Sequence, residues 1–325
     1  MQYKSIKGYT GAAQLGILLA FVGAGLLLAG AVQTYFGYRA IGTSSVPFSQ
    51  LGDAMLKALM KPENAVYMQL SQIFGTFFLM FVPSAGFILL CHKKISWAGF
   101  TKHFNLFQIV LAFIIILCTT LFANPFADMS KAVFAHFPHW DMLAKNAEKM
   151  YNDAVASMSG LNTWPQFFVG MFIVAFLPAL FEELFFRGTM QNFFMRWWKN
   201  PVLAIVVTSI VFSFIHASYY LFISRFILGC ALGMLFYYSK NIWVNTFAHF
   251  MNNLMALSQL FYLNRTKGGK VDVNNMDTPM PLWSLLIASV ILVALFILFK
   301  NISKHNREKI ELAETETSAD NAVIE

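Results

Sequence analysis

Residues Phe181–Gly188 read FEELFFRG and follow an apolar run over residues 167–180. They place Glu182, Glu183 and Arg187 at the end of a hydrophobic helix. A charge near the centre of a bilayer helix costs about 2.5–3.5 kcal/mol on insertion scales, so such a group indicates a function or a specific ion pair. On an α-helix Glu183 and Arg187 share a face in the favourable acid-before-base order, whereas Glu182 points about 100° away. The pattern predicts that Arg187 pairs with Glu183 and that Glu182 has a separate role.

The composition is typical of a membrane protein. Of the 325 residues, 58% are hydrophobic, 35 are Phe and 12% are charged, whereas soluble proteins have about 25% charged residues. Apolar runs of about 20 residues, the length that a bilayer core requires, recur along the chain. The net charge of +7 comes from basic residues at loop ends, which indicates positive-inside flanks rather than nucleic-acid binding. The three cysteines lack CxxC spacing, so they indicate neither a disulfide framework nor a metal site.

The apolar runs predict an all-α, polytopic membrane protein with about eight transmembrane helices. The predicted order is helices one to three in residues 1–122, an extramembrane segment with an amphipathic helix in 123–166, helices four to seven in 167–262, a loop and the last helix in 263–302, and a disordered charged tail in 303–325. The distribution of Lys and Arg favours a topology with both termini in the cytoplasm. Pro178 lacks the N–H that would bond the Val174 carbonyl, which predicts a looser or kinked helix before Glu182.

Three further polar residues lie inside apolar spans. His216 ends the predicted fifth helix, and His249 and Asn253 share a face of the predicted seventh. Polar groups in lipid need partners, and each of these helices can offer its polar face only to the others. We therefore expect Glu182, His216, His249 and Asn253 to form one cluster.

These residues belong to three motifs in a fixed order along the chain. The motifs are EExxxR at Glu182–Arg187, FxxxH at Phe212–His216 and HxxxN at His249–Asn253. The ordered triple resembles the CAAX protease and bacteriocin-processing (CPBP) family of intramembrane endopeptidases, which includes the type II CAAX prenyl endopeptidases. The resemblance covers residues 167–262.

The resemblance implies hydrolysis of a peptide bond in a membrane-associated protein or peptide. Glu182 and His216 would activate a water as general base, and His249 and Asn253 would hold the oxyanion. The supporting residues would be Glu183, Arg187 and Phe212. We expect an integral protein of a bacterial cytoplasmic membrane, with the bilayer and its substrate as partners and without nucleic acid. Whether that substrate is prenylated stays open.

Metal dependence and the class of activity also stay open. Glu182, His216 and His249 are residue types that can ligate Zn²⁺ with a water in the fourth position. The HExxH signature is absent, and Asn253 suits an oxyanion better than zinc, which favours a metal-free mechanism. A proton- or cation-coupled transporter, or a non-catalytic scaffold or immunity protein, would use the same cluster without hydrolysis. The sequence has no internal repeat of the kind that transporters show.

Overall fold

The structure is a computed structural model that describes residues 3–42, 46–159, 163–267 and 283–323. Within these ranges the regular elements are helices, apart from an isolated antiparallel bridge between Lys4 and Thr10. This confirms the predicted all-α class.

The α-helices of the described residues follow one another with short connections. They are α1 (Gly11–Ile41), α2 (Leu51–Leu59), α3 (Ala65–Thr76), α4 (Val82–His92), α5 (Leu106–Phe134), α6 (Pro138–Ser159), α7 (Trp164–Gly170), α8 (Leu177–Glu183), α9 (Asn192–Trp198), α10 (Pro201–Ile215), α11 (Phe222–Ser239), α12 (Ile242–Lys267) and α13 (Ser284–Val323). Three π-helical stretches join neighbouring α-helices: Phe77–Phe81 joins α3 to α4, Met171–Phe176 joins α7 to α8, and Leu184–Gln191 joins α8 to α9.

Each predicted span falls on a helix, but not every helix has the length and composition of a span. Six helices among the described residues do: Gly11–Ile41, Ala65–His92, Leu106–Phe134, Trp164–Trp198, Phe222–Ser239 and Leu285–Ala313. The apolar α10 has 15 residues, fewer than the roughly 20 that cross a hydrocarbon core. The 26-residue α12 carries several amides and a histidine. A polytopic helical membrane protein is therefore confirmed, whereas the count of eight spans is not.

Proline accompanies two of the π-helical stretches. The long helix Trp164–Trp198 is π-helical over Met171–Phe176, and the α-helix that follows has Pro178 in its second position. The same order occurs at Phe77–Phe81, which is followed by Pro83 in the second position of α4. Proline has no N–H and crowds the carbonyl four residues back, so a wider turn before it relieves the contact. The predicted loosening of the fourth span thus takes the form of a π-helical segment.

The segment predicted to be extramembrane contains more helix than expected. The third helix continues to Phe134, past its predicted end at Phe122, and Asp128 and Lys131 form an ion pair of 3.5 Å in the extension. The predicted amphipathic helix is present as α6, and its location on a membrane surface stays a prediction. Most of the predicted loop after α12, residues 268–282, lies outside the described residues.

The C-terminal tail is helical, so the prediction of disorder is wrong as far as Val323. Helix α13 passes without interruption from its apolar half into the charged half. Arg307 Nε donates to Glu311 Oε1 at 2.9 Å, one turn further along, and its Nη1 donates to the Tyr237 carbonyl at 3.2 Å. Lys, Glu and Ala have high helix propensity, and the preceding apolar helix provides the nucleus from which they continue the helix.

The described chain divides into two compact units. The first comprises Met1–Lys93, Phe134–Phe185 and Asn253–Thr278, and the second comprises Lys94–Val133, Phe186–Asn252 and Pro279–Glu325. In the first unit, α1 packs against α2, α3 and α4, and α8 packs against the π-helical Phe77–Phe81. The Phe181 ring of α8 lies 6.0 Å from the Phe77 ring and 5.6 Å from the Phe81 ring, measured between centroids. These contacts hold the helix turn that carries Glu182.

The second unit has an apolar core to which α5, α11, α12 and α13 contribute, and α10 packs along α11. Small residues permit that close approach, as is usual between membrane helices. A Cβ added to Gly229 of α11 would come 3.0 Å from the Cβ of Ser209. One turn apart, the carbonyls of Gly229 and Gly233 accept hydrogen bonds from Arg187 at 3.3 Å and from Gln191 at 2.9 Å.

We predict that Gly229→Val lowers the melting temperature of the purified protein in detergent. The added side chain overpacks the α10–α11 contact, which costs about 1–3 kcal/mol. The matched control is Gly23→Val in α1, because Gly23 has no atom within 4 Å of its added Cβ. Equal melting temperatures for the two variants would contradict this packing.

Candidate active site

The four predicted catalytic residues are divided between the two units. Glu182 and Asn253 lie in the first unit, and His216 and His249 lie in the second. The meeting of all four in one cluster stays a prediction.

Glu182 lies in the last turn of α8, between two buried residues. It is itself half-buried, whereas Phe181 and Glu183 are buried. Immediately after Glu183 the helix changes to π geometry over Leu184–Gln191. The EExxxR motif therefore spans an α-to-π transition, a feature that is frequent at functional sites.

Arg187 is enclosed in the second unit. Its exposed fraction is 1%, and its Nη2 donates to the Gly229 carbonyl at 3.3 Å. The guanidinium carbon lies 4.6 Å from the centroid of the Phe212 ring and 5.8 Å from that of Phe186. A buried guanidinium on aromatic faces gains cation–π stabilisation. The sequence did not reveal these contacts, and the predicted pairing of Arg187 with Glu183 stays a prediction.

The motif residues Arg187, His216 and His249 of the second unit all contact the ring of Phe212. It is buried, and besides Arg187 it contacts the rings of Phe186, His216 and His249 at centroid distances of 5.1, 4.6 and 6.2 Å. Two of these contacts are edge-on, a favoured geometry for aromatic pairs. The structure thus brings the two predicted histidines to one aromatic side chain.

The hydrogen bond of His216 fixes its tautomer. The residue is the C-cap of α10, and its Nδ1 lies 2.7 Å from the Phe212 carbonyl oxygen. A carbonyl oxygen can only accept, so Nδ1 carries the proton and the lone pair of the neutral ring lies on Nε2. Nε2 is therefore the atom that can take up a proton.

The chain after His216 is held in an uncommon backbone conformation. Ala217 has φ +49°, in the left-handed region that non-glycine residues rarely adopt. Arg225 of α11 donates from Nη1 to the His216 carbonyl at 3.0 Å, and the Ser213 hydroxyl donates to the Phe222 carbonyl at 2.5 Å. The sequence analysis did not identify Arg225. Its position nine residues after His216 gave no sign of this contact.

The HxxxN motif lies on α12 and extends over the unit boundary. His249 is 4% exposed, and one turn earlier Asn245 donates to the Leu232 carbonyl at 2.7 Å. In the first unit, Asn253 Nδ2 lies 3.4 Å from the Ala175 carbonyl in the π-helical segment before α8. An asparagine amide has two N–H donors, so this bond leaves the second one for another acceptor.

Zinc ligation by Glu182, His216 and His249 stays a prediction. Among the described residues, no group of three or more His, Cys, Asp and Glu side chains is placed to hold a metal ion. Structural and catalytic zinc sites need at least three protein ligands. Glu182 lies in the first unit and both histidines lie in the second, so this finding does not test the three as a ligand set, and we assign no step to a metal.

The fold and these polar side chains define a polytopic helical membrane protein with histidine, carboxylate and amide groups on apolar helices. The family model for type II CAAX prenyl endopeptidase Rce1-like proteins matches residues 164–255. The chain is therefore similar to this family over residues 164–255, the stretch that contains all three motifs. Comparison with curated proteins and with solved structures gave no significant match.

We predict that Phe212→Leu lowers both the melting temperature and any hydrolytic activity. The substitution removes the ring that Arg187 and both histidines contact. Truncation of a buried aromatic residue to alanine lowers the free energy of unfolding by about 3–5 kcal/mol. Phe212→Leu should lower the stability by less than that, but it should remove the ring contact that orients both imidazoles. The control is Phe214→Leu, two residues further along, where the side chain is 76% exposed. A Phe212→Leu variant that matches the control in both measurements would rule out this role for the ring.

Proposed function

We propose that the protein is an intramembrane endopeptidase that hydrolyses a peptide bond of a membrane-associated protein or peptide. The observation that carries the proposal is the match of residues 164–255 to the type II CAAX prenyl endopeptidase Rce1-like model. That stretch contains all three motifs and therefore all four predicted catalytic residues.

In the proposed mechanism, Glu182 and His216 act together as the general base. A water gives a proton to this pair, and its oxygen attacks the carbonyl carbon of the peptide bond. The His216 tautomer supports the assignment, because its Nδ1–H donates to the Phe212 carbonyl at 2.7 Å and its Nε2 carries the lone pair. The same carbonyl and the C-terminal end of α10 would stabilise the imidazolium once Nε2 is protonated. The proton then passes to the leaving amine as the carbon–nitrogen bond breaks.

The developing oxyanion would accept hydrogen bonds from His249 and Asn253. An imidazole N–H and an amide N–H are both suitable donors, and one preorganised donor contributes about 10²–10³ in turnover. Burial of His249 and its edge-on contact with the Phe212 ring support a fixed orientation. For Asn253, the second amide N–H is the one proposed to reach the oxyanion.

Arg187 is proposed to support the site rather than to recognise a substrate carboxylate. Its guanidinium is buried, donates to the Gly229 carbonyl and lies on the Phe212 ring. A recognition arginine would need an approach path for an anion, whereas Arg187 is buried and donates to a carbonyl of α11. We propose that Glu183 balances this charge.

The proposed location is a bacterial cytoplasmic membrane, with both termini in the cytoplasm. The substrate would reach the helices from within the bilayer. The proposal covers both prenylated and unprenylated substrates. Comparison of the peptides in membranes that carry the wild type or Glu182→Gln identifies the cleavage product.

We predict that Glu182→Gln and His216→Ala each abolish cleavage while the protein stays folded and inserted. The double variant should be little worse than either single one, because groups that serve one chemical step are not additive. The control is Glu63→Gln, at a side chain that is 71% exposed. Cleavage is followed with purified protein and the peptide identified above.

Full activity of purified Glu182→Gln would refute the assignment of the base. Ion- or pH-driven flux across vesicles, abolished by the same substitution, would instead establish a transporter. A wild type with neither cleavage nor flux would establish a scaffold or immunity role.

A fourth prediction separates the metal-free mechanism from a zinc mechanism. Without a metal, Asn253→Ala should reduce turnover about 10²- to 10³-fold with substrate affinity nearly unchanged, because it removes one oxyanion donor. Elemental analysis of the active wild type should then find much less than one zinc per chain. Stoichiometric zinc that is lost on Glu182→Gln, and that restores a chelated enzyme when added back, would establish the zinc mechanism.

A further inference from the structure

One turn of α5 is hydrogen-bonded to two other helices of the second unit. The Thr120 hydroxyl lies 2.9 Å from Asn252 Oδ1 on α12, and the Ser224 hydroxyl of α11 donates to the Ala123 carbonyl at 2.8 Å. Thr120 and Ala123 are three positions apart, so they share a face of α5. Helix α5 lies outside the stretch 164–255 that matches the family model.

The contact between Thr120 and Asn252 joins α5 to the turn of α12 that bears His249. Asn252 stands at one of the variable positions of the HxxxN motif, three residues after His249, so the two side chains lie on the same side of α12. His249 is 4% exposed, and its ring lies edge-on to the Phe212 ring with 6.2 Å between centroids. A rotation of α12 about its axis would change the direction of this imidazole, and a bond at Asn252 opposes that rotation.

Apolar packing between α5 and α12 does not have the same effect. Both helices contribute aliphatic side chains to the core of the second unit, and the hydrophobic effect that stabilises such a core has no direction. A hydrogen bond does have direction, and a single polar contact between helices can determine their register. Inside a bilayer no water replaces a bond of this kind when it is lost.

The second bond of the same turn reaches the helix that contacts His216. Ser224, which donates to α5, directly precedes Arg225, which donates to the His216 carbonyl at 3.0 Å. Two side-chain bonds to one turn of α5 are therefore made next to the contacts of both predicted histidines. The turn gives α11 and α12 a common point of attachment.

We propose that Thr120 and Asn252 are positioning residues for the proposed peptide hydrolysis. They hold α12 in the rotation that directs His249 at the developing oxyanion. The role is indirect, because Asn252 acts through His249 on the same helix and Thr120 acts through Asn252. The inference rests on the proposed function and adds to it a helix that the family match does not include.

Two adjacent threonines of α5 provide a matched pair of substitutions. The Thr119 hydroxyl donates to the Ile115 carbonyl at 2.7 Å, one turn back in the same helix. The Thr120 hydroxyl lies 3.0 Å from the Ile116 carbonyl oxygen in the same way, and it also reaches Asn252. Valine resembles threonine in shape but lacks the hydroxyl. Thr120→Val therefore removes a bond between helices, whereas Thr119→Val removes a bond within α5.

The experiment compares kcat and KM of the purified full-length variants for the peptide identified by the membrane comparison above. Thr120→Val and Asn252→Leu should each lower kcat about 3- to 20-fold, the factor that corresponds to the strength of a hydrogen bond between membrane helices. KM should be unchanged, because the oxyanion develops only in the transition state. The double variant should be no worse than Asn252→Leu alone, since both substitutions remove the same bond. Thr120→Ser and Thr119→Val should match the wild type.

A spectroscopic measurement tests the positioning without requiring cleavage. In protein with isotope-labelled histidine, the imidazole C–H signals of His249 report the ring current of Phe212, and His249→Gln identifies these signals by their absence. The signals should move in Thr120→Val and in Asn252→Leu. They should stay in place in Thr119→Val and in Thr120→Ser.

The proposal is overturned if Thr120→Val keeps the wild-type kcat, if Thr119→Val lowers kcat as much, or if Thr120→Val lowers the melting temperature alone. A wild type that cleaves no peptide contradicts the proposed function, and the His249 signals then decide on the positioning by themselves. Unchanged signals in Thr120→Val would overturn it, and displaced signals that Thr120→Ser restores would support it.

Discussion

Inside a bilayer a buried polar side chain must find its partner within the protein, and in this chain that partner is repeatedly a helix carbonyl. A helix carbonyl already accepts one backbone N–H and has a second lone pair for a side-chain donor. Arg187 uses the carbonyl of Gly229 and His216 uses that of Phe212, whereas Arg225 uses the carbonyl of His216 just after the end of α10. Because the backbone of a packed helix is rigid, each bond also sets the direction of the side chain that donates it.

The same acceptors determine what the side chains retain for chemistry. A carbonyl oxygen accepts one N–H of the side chain and does not bond to the acceptor atoms of that side chain. For His216 this leaves a lone pair on Nε2, which is what a base needs, and for Asn253 it leaves one amide N–H, which is what an oxyanion site needs. The requirement to satisfy polar groups in lipid and the requirements of peptide hydrolysis are therefore compatible at these two residues.

The sequence predicted the elements and the motif residues but not the contacts that orient them. The FEELFFRG stretch and the apolar runs identified a helical membrane protein, because charge in lipid and span length are local properties. Pro178 predicted where the helix departs from α geometry.

The contacts of Arg187 with the Gly229 carbonyl and of Arg225 with that of His216 join residues whose spacing, 42 and nine positions, carries no periodic signal. The helical tail was missed for a related reason. Composition alone does not show that a charged segment continues an already nucleated helix.

Helix α10 is shorter than the hydrocarbon core of a bilayer, and this bears on how water would reach His216. Its 15 residues extend about 22 Å at 1.5 Å per residue, less than the roughly 30 Å of a hydrocarbon core. A helix of this length that begins at one face of a bilayer ends before it has crossed it. Irregular backbone at such a depth is tolerated only where protein buries it or where it lines a water-filled cavity. The carbonyl of His216 is covered by Arg225, but Ala217 and Phe214 are exposed, so the protein does not bury this turn completely. Under the proposed function, this exposed turn is where water would reach His216.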